Sequence, residues 1–473
     1  MAQTRRDFLR NTACALGGVA LASTVESLGL INAYAQSAAA TDYRALVCIF
    51  LSGGNDCNNT VVDLNQFTSY NNVRSASGLG LAQASLIPIS ANGGSYGLHP
   101  NLSPEVGTPG ATKGLLDLWN AGKLAVVANV GPLVEPLTRQ TYQNGTGKRP
   151  VQLFSHSDQV GLWQSSVATG VSQTGWGGRV ADKTGGLNGP ATFPQVVTIA
   201  GISLFVTGLN SRPLAISDSN TALANVLPLS DAPGFTSAQN TARRAAFDSI
   251  RALDPGVVLI KAAADVRSSA LQTRTALASV NPAINTVFPN TTLGRQLLQV
   301  ARVIKASTDP NAGINMKRQI FFCNLGGFDT HSQQINGQGN LLTQLSQAMR
   351  AFYDATVELG VSAGVTTFTL SDFGRTFSPS GSGAGTVGSD HGWGNHHFVM
   401  GGSVIGGNLY GTYPTLALGG PDDTDTRGRW IPTTSVEQYA ATLASWYGLS
   451  ASDFPAVFPL LGHFSPSTLG FLA

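Results

Sequence analysis

Between Gly388 and Gly402 the chain reads GSDHGWGNHHFVMGG, so three of its seven histidines and one aspartate fall within a single glycine-bounded stretch. Asp390, His391, His396 and His397 are residue types that bind metals, act as acid and base, or decorate a polar loop. Three further motifs carry the same chemistry: SGGNDCNNT holds Asp56, GGFDTHSQQ holds Asp329 and His331, and SDFGRTF holds Asp372 and Arg375. Carboxylates brought together would push one another's pKa upward unless a cation neutralised them. A metal ion is the economical reason for such a set. Mixed aspartate and histidine ligation suits zinc, manganese or iron better than calcium alone.

The elements that must position these residues are short apolar runs. YRALVCIFL (Tyr43 to Leu51), KLAVVANV (Lys123 to Val130), QVVTIAG (Gln195 to Gly201), RQIFFCNL (Arg318 to Leu325) and VTTFTLS (Val365 to Ser371) have the unbroken hydrophobicity of strands buried on both faces of a parallel sheet. Between the last two, Leu342, Leu345, Met349 and Phe352 recur at helical spacing and Gly360 offers a C-cap, which makes a strand–helix–strand unit. SVEQYAATLASWYGL predicts a second amphipathic helix near the carboxyl end, and the tract from about 237 to 307, broken by Pro255, Pro282 and Pro289, predicts a helical layer or insertion. Asp56, Asp329 with His331, and Asp372 each follow a predicted strand directly. Open α/β sheets bind ligands at that edge.

At the amino terminus TRRDFLR precedes the apolar run ACALGGVALASTV and then AYAQ, with Ala33 and Ala35 suited to a cut before Gln36. The pattern is that of a twin-arginine export signal over residues 1–35, leaving 36–473 as one domain outside the cytoplasm, periplasmic or extracellular, with no stable membrane anchor. Charged residues make up only 11% of the chain and the formal charge is +2 without a basic run, which argues against nucleic acid as a partner. Cys48, Cys57 and Cys323 show no zinc-cage spacing. Cys48 and Cys323 fall within apolar runs, as small hydrophobes or, where their strands are neighbours, as a disulfide.

The export signal followed in order by FLSGGNDCNNT, GGFDTHSQQ, LSDFGRTF, GSDHGW and GGSVIGGNLYG resembles the secreted bacterial family known as domain of unknown function 1501, which belongs with the alkaline phosphatase and sulfatase superfamily. The resemblance covers essentially the whole mature chain. It implies a three-layer α/β/α sandwich with a mostly parallel, alkaline-phosphatase-like sheet and a two-metal centre that hydrolyses phosphate or sulfate esters. The superfamily's ligand positions match Asp56, then Asp329 and His331, then Asp372. Its phosphatases carry a histidine directly after that last aspartate, where this chain has Phe373. The Asp-His pair then falls to Asp390 and His391, with His397 or His396 as the final histidine. The implied cofactor is one or two divalent ions, zinc first and manganese, iron or calcium after it.

The superfamily's nucleophile is a Ser, Thr or formylglycine at a helix amino terminus. LFSHSDQVGLWQSS offers Ser155 or Ser157 at such a place, with a plain N-cap as the other reading. Cys57 is excluded, because CNNTV lacks the proline and arginine that formylglycine formation requires. Arg375 is expected to neutralise a nonbridging ester oxygen. The expectation is a secreted metal-dependent hydrolase of small-molecule or polysaccharide esters that reaches its compartment through the twin-arginine export machinery. Two alternatives stand beside it: a noncatalytic secreted binding or assembly protein on the same fold, and an unrelated esterase or amidase. No GxSxG elbow supports the esterase.

Overall fold

The computed structural model describes residues 42–103, 114–191, 193–227, 234–252, 258–278, 283–309, 314–383 and 385–473. The export signal predicted over residues 1–35 lies outside them. Strand β1 (Arg44–Ser52) is apolar at nearly every position, and Val47, Ile49 and Leu51 are as deeply buried as Leu46, Cys48 and Phe50 on its other face. Burying each such side chain contributes about 1.5–3 kcal/mol. A strand covered on both sides belongs in the middle of a parallel sheet, and β1 is there.

Strands β2 (Val61–Asp63), β3 (Ile87–Ala91) and β4 (Gly94–Leu98) form a small antiparallel sheet after β1. The main sheet is built from β1, β5 (Leu124–Gly131), β6 (Val196–Thr198), β7 (Leu214–Ala215), β8 (Arg318–Gly326), β9 (Val365–Ser371), β12 (Asn395–Gly401), β13 (Asn408–Tyr410) and β14 (Thr434–Ser435). Its order is β13-β5-β12-β9-β1-β8-β6-β7, with β14 beside β5. Every pairing is parallel except those of β12 with β5 and β9. The remaining strands, β10 (Arg375–Ser380) and β11 (Gly388–His391), make an antiparallel hairpin.

Helices cover both faces, which completes an α/β/α sandwich. We label α1 (Phe67–Arg74), α2 (His156–Ser165), α3 (Thr292–Thr308), α4 (Gln334–Glu358) and α5 (Val436–Tyr447). Trp163 of α2 and Val436, Tyr439 and Leu443 of α5 join Leu46, Cys48, Phe50 and Phe368 in one core cluster. On the other face α3 packs against β8 and α4. The apolar stripe of α4 is the one its sequence spacing predicts, with Leu342, Leu345, Met349 and Phe352 buried, and Gly360 closes the helix by donating its N–H to the Val357 carbonyl. Ser435 and Gln438 cap α5 reciprocally. The tract from about 237 to 307 holds helices Ser237–Ala252, Val258–Ala278 and α3, and Leu293, Leu297, Val300 and Ile304 bury the inner face of α3. Among the described residues no helix is long and apolar enough to cross a membrane.

Register decides the state of the cysteines. β1 and β8 are neighbours, but Ile49, not Cys48, aligns with Cys323. Aligned residues share a face and adjacent ones do not, so the two thiols point to opposite sides of the sheet. Cys48, Cys57 and Cys323 are all free and buried, which corrects the disulfide alternative.

Because β9, β1 and β8 are parallel and adjacent, the residues after their carboxyl ends share one edge. Two glycines permit the crowding there. Gly53 has φ +112, and a Cβ on it would lie 2.3 Å from the Asp329 nitrogen. A Cβ on Gly388 would lie 2.2 Å from the His331 carbonyl carbon. The β10–β11 hairpin pairs Arg375 with His391, which brings both to this edge.

Candidate metal centre

Asp329, on the loop that leaves β8, is the hub. Its Oδ1 lies 3.4 Å from His156 Nε2, 3.1 Å from His331 Nε2 and 3.6 Å from His391 Nε2. Arg375 Nη1 donates to the same oxygen at 2.8 Å. His156 opens α2, His331 follows Asp329 by two residues, and His391 ends β11, so three separate segments converge. The side chains of Asp329 and His331 are 47% and 45% exposed, so the centre opens to solvent on one side.

The other ring nitrogens fix the tautomers. His156 Nδ1 is 2.7 Å from Asp372 Oδ2, His331 Nδ1 is 3.1 Å from Asp390 Oδ1, and His391 Nδ1 is 2.7 Å from the Phe154 carbonyl. Carbonyl and carboxylate oxygens accept, so each Nδ1 carries the proton, and a neutral ring presents its Nε2 lone pair. Metal-binding histidines are commonly held this way, by an oxygen behind the ring. Two of these lone-pair nitrogens, His331 Nε2 and His391 Nε2, face each other at 3.0 Å. Such a contact is repulsive unless a cation or an extra proton is shared between them.

Charges around the centre favour the cation. Burial depresses the pKa of His391, and the nearby charges of His156, Arg375 and His331 add to that against the Phe154 carbonyl, so its neutral form is favoured. Burial alone would raise the pKa of Asp329, but the hydrogen bond and charge of Arg375 hold it below the ordinary value. Burial is likewise outweighed at Asp390 by Arg427, which donates to its Oδ2. Asp329, Asp372 and Asp390 against Arg375 and Arg427 leave one net negative charge. A divalent ion would turn that into one net positive charge, suited to an anionic substrate.

The donor set fits an ion. His156, Asp329 and His391 offer ligand atoms that all lie within 4.8 Å of one another, the one such grouping among the described residues, and His331 adds a fourth donor. Asp329 Oδ1 lies 3.1 to 3.6 Å from the three Nε2 atoms and His331 lies 3.0 Å from His391, around the edge of roughly 3.3 Å expected for a tetrahedron with metal–ligand bonds of about 2.0–2.1 Å, while His331 falls outside the grouping that includes His156.

The sequence-predicted residues divide sharply at this edge. Asp329, His331 and His391 meet at the cluster. Asp372 and Asp390 reach it from behind the imidazoles, as hydrogen-bond acceptors of His156 and His331 rather than as ligands. Asp56 does not join them. Its buried carboxylate receives Arg74 Nη1 at 2.6 Å and Nη2 at 3.1 Å, both amide donors of Asn58 at 3.1 and 3.0 Å, and the Gln334 amide. With five donors on two oxygens it has no lone pair left for a metal, so a second ion drawing on Asp56 does not fit.

His397 is also corrected as a ligand. It lies on β12 in the core, its ring 4.7 Å from Trp163, and burial pushes its pKa down to about 3. His396 points to the opposite face, accepts the Asn129 N–H at Nδ1, and is held at about 4 by burial. Ser155 is the N-cap of α2, but its hydroxyl donates to Asp158 Oδ2 at 2.6 Å. Arg375 is buried at the cluster, with Nε and Nη2 unpartnered. Phe373 stacks on His391 at 4.7 Å and packs 4.8 Å from His156, filling the space behind both rings. His156 is the residue that sequence reasoning missed. Its one signal is its place beside a helix-capping serine.

The family model described as "Protein of unknown function (DUF1501)" matches residues 43–425. No curated protein matches the sequence. Among solved structures, the chain is similar to Ps i-CgsB in complex with k-i-k-neocarrahexaose, with 10% identity and a TM-score of 0.33 over 88% of this chain and 77% of that one. It is similar to the PsFucS1 sulfatase from Pseudoalteromonas sp., with 10% identity and a TM-score of 0.26 over 88% of this chain and 75% of that one. It is also similar to the lipoteichoic acid synthase LtaP from Listeria monocytogenes, with 5% identity and a TM-score of 0.25 over 73% of this chain and 62% of that one.

Proposed function

We propose, for a chain that belongs to the DUF1501 family of proteins of unknown function, that the Asp329 cluster is the single-metal centre of a secreted hydrolase of phosphate or sulfate esters. The observation that carries this reading is the facing pair of His331 Nε2 and His391 Nε2 at 3.0 Å, each with its Nδ1 already committed as a donor. His156, Asp329, His331 and His391 would hold the ion, with zinc, manganese or iron suited to that set. Once bound, the ion supplies Lewis acidity toward the ester and toward water.

The chain's own residues do the rest. Asp372, Asp390 and the Phe154 carbonyl fix the three imidazoles. Arg375 fixes Asp329 through Nη1, while its Nε and Nη2 are enclosed within the protein. Phe373 keeps water from behind the His156 and His391 rings. The Ser155 hydroxyl is taken by Asp158, so we assign the nucleophile to water. Its oxygen bonds to phosphorus or sulfur as the bond to the ester's alcohol oxygen breaks, and one water proton passes to that oxygen, which leaves as the alcohol. Export by the twin-arginine route belongs to the same reading, carried by TRRDFLR and the apolar run after it, and so does a small-molecule or polysaccharide ester as substrate.

The test uses mature protein from the periplasm or medium, expected to begin at Gln36. Bound metal is measured, and an aryl phosphate, an aryl phosphodiester and an aryl sulfate are assayed. About one ion per chain, and hydrolysis lost together with the ion in Asp329→Ala, support the reading. A metal-free, inert protein overturns it. A metal-loaded protein inert on all three esters overturns the hydrolase and leaves a binding protein.

A further inference from the structure

We infer that the substrate carries a second anionic group beside the scissile ester, and that Arg427 and Arg429 receive it. The inference rests on the hydrolase reading above and deepens it to a class of substrate. Both arginines sit on the loop 422–429 and hold the groups behind the His331 and His391 rings. Arg427 donates Nη2 to Asp390, the carboxylate behind His331, while its side chain stays 39% exposed. Arg429 donates Nε to the His391 carbonyl at 3.0 Å and Nη1 to Asp425 at 3.2 Å. Its guanidinium lies 4.3 Å over the ring of Phe154, whose carbonyl holds His391. Among the described residues no group accepts from Arg427 Nη1 or Nε or from Arg429 Nη2.

The loop is built to hold them still. Asp423 is fully buried, and its two carboxylate oxygens accept four backbone N–H groups: Gly419 and Gly428 at 2.9 Å, and Asp425 and Arg429 at 3.1 Å. Arg139 and Gln143 donate to the carbonyls of Asp423 and Thr424 from outside. Phe154 adopts φ +71, a left-handed backbone that a bulky residue rarely takes, and this turn carries its carbonyl to His391 and its ring to Arg429. Two guanidiniums held beside the cation centre, on the groups behind His331 and His391 and one over an aromatic face, form a receptor for a planar or bidentate oxyanion. Neutralising Asp390 and Asp425 alone would leave these spare donors and this rigidity without a use.

Sulfonates test the inference without chemistry at the ester. Benzenesulfonate and benzene-1,3-disulfonate are titrated calorimetrically into the metal-loaded full-length mature protein at low ionic strength. The disulfonate is expected to bind about five- to tenfold tighter, the gain of one added charge-assisted pair at a partly exposed site. With every protein titrated at saturating metal and its bound metal measured in parallel, that advantage should vanish in Arg427→Gln and shrink in Arg429→Gln. Equal affinity of the two ligands in the wild type overturns the inference, as does a uniform loss of both in the variants. The hydrolase reading fails separately: a protein inert on esters that still prefers the disulfonate keeps the anion receptor and loses the enzyme.

Discussion

At the scale of single residues, Asp372 and Asp56 show how one side chain type at one sheet edge takes two unrelated tasks. Asp372 accepts the Gly53 N–H at 3.0 Å on one oxygen and His156 Nδ1 at 2.7 Å on the other, so it both ties the β1 loop down and aims an imidazole. Removing it in Asp372→Ala frees that ring and should weaken metal affinity roughly 10–100-fold, as loss of the oxygen behind a metal-binding histidine does. Asp56 is neutralised by Arg74, and both side chains are fully buried. Arg74→Met leaves a buried carboxylate uncompensated and should cost about 3–5 kcal/mol of stability. Its metal affinity should be unchanged. Chelator competition and urea unfolding on the two variants check both halves, and a metal defect in Arg74→Met would return Asp56 to the centre. The sequence displays Asp56 in the right motif but not its partner, which lies 18 residues on, in a separate helix. His156 went unseen for the converse reason. Nothing beside it in LFSHSDQ marks a ligand, because its supporting carboxylate, Asp372, comes 216 residues later.

At the scale of elements, α5 carries an unusual load. Glu437 sits in its first turn, fully enclosed, and burial lifts its pKa to about 8 against its own backbone hydrogen bond, Ser166 and the charge of Arg179. An unfolded chain releases that proton near 4.5, whereas the folded one keeps it to about 8. Between those values the native state binds more protons, so stability from this group falls as pH rises across the window and levels off above it. His396 and His397, neutral down to about 4 and about 3, contribute the opposite slope below 6.5. The difference between wild type and Glu437→Gln in thermal midpoint from pH 4.5 to 8 isolates the glutamate and should grow steadily in favour of the variant. A flat difference would mean that Glu437 is ionised in the fold. The elements the sequence revealed are those whose burial is written in unbroken apolar runs: β1, β5, β8 and β9 begin and end within one residue of the runs that predict them. β12 was legible only as an alternative. Its NHHF reads equally as the end of a histidine-rich loop and as the opening of a strand with one histidine in the core; it is the strand, between β5 and β9, with Asn129 at the His396 Nδ1 and Thr369 at the His397 Nδ1 on opposite faces.

At the scale of the whole molecule, the centre is a clasp between distant parts of the chain. His156 comes from the helix layer on one face, Asp329 and His331 from the loop that leaves β8, and His391 from the hairpin that follows β9. Within the unfolded chain these donors are far apart, so an ion that binds the native set and not the unfolded one adds its binding free energy to folding. At free metal about 100-fold above the dissociation constant the gain is about 2.7 kcal/mol. For a chain of this length, with an unfolding entropy of about 2.1 cal/mol/K per residue, that corresponds to a rise in melting temperature of about 3 °C. Chelation should therefore lower the melting temperature by a few degrees, readdition of zinc or manganese should restore it, and Asp329→Ala should melt at one temperature under both conditions. Metal ligands must be deprotonated, so the metal-dependent shift should shrink as the pH is lowered and protons compete with the ion for the donor set. A wild-type melting temperature indifferent to metal at neutral pH would leave the lone-pair contact without its cation, and the single-metal centre would fall with it.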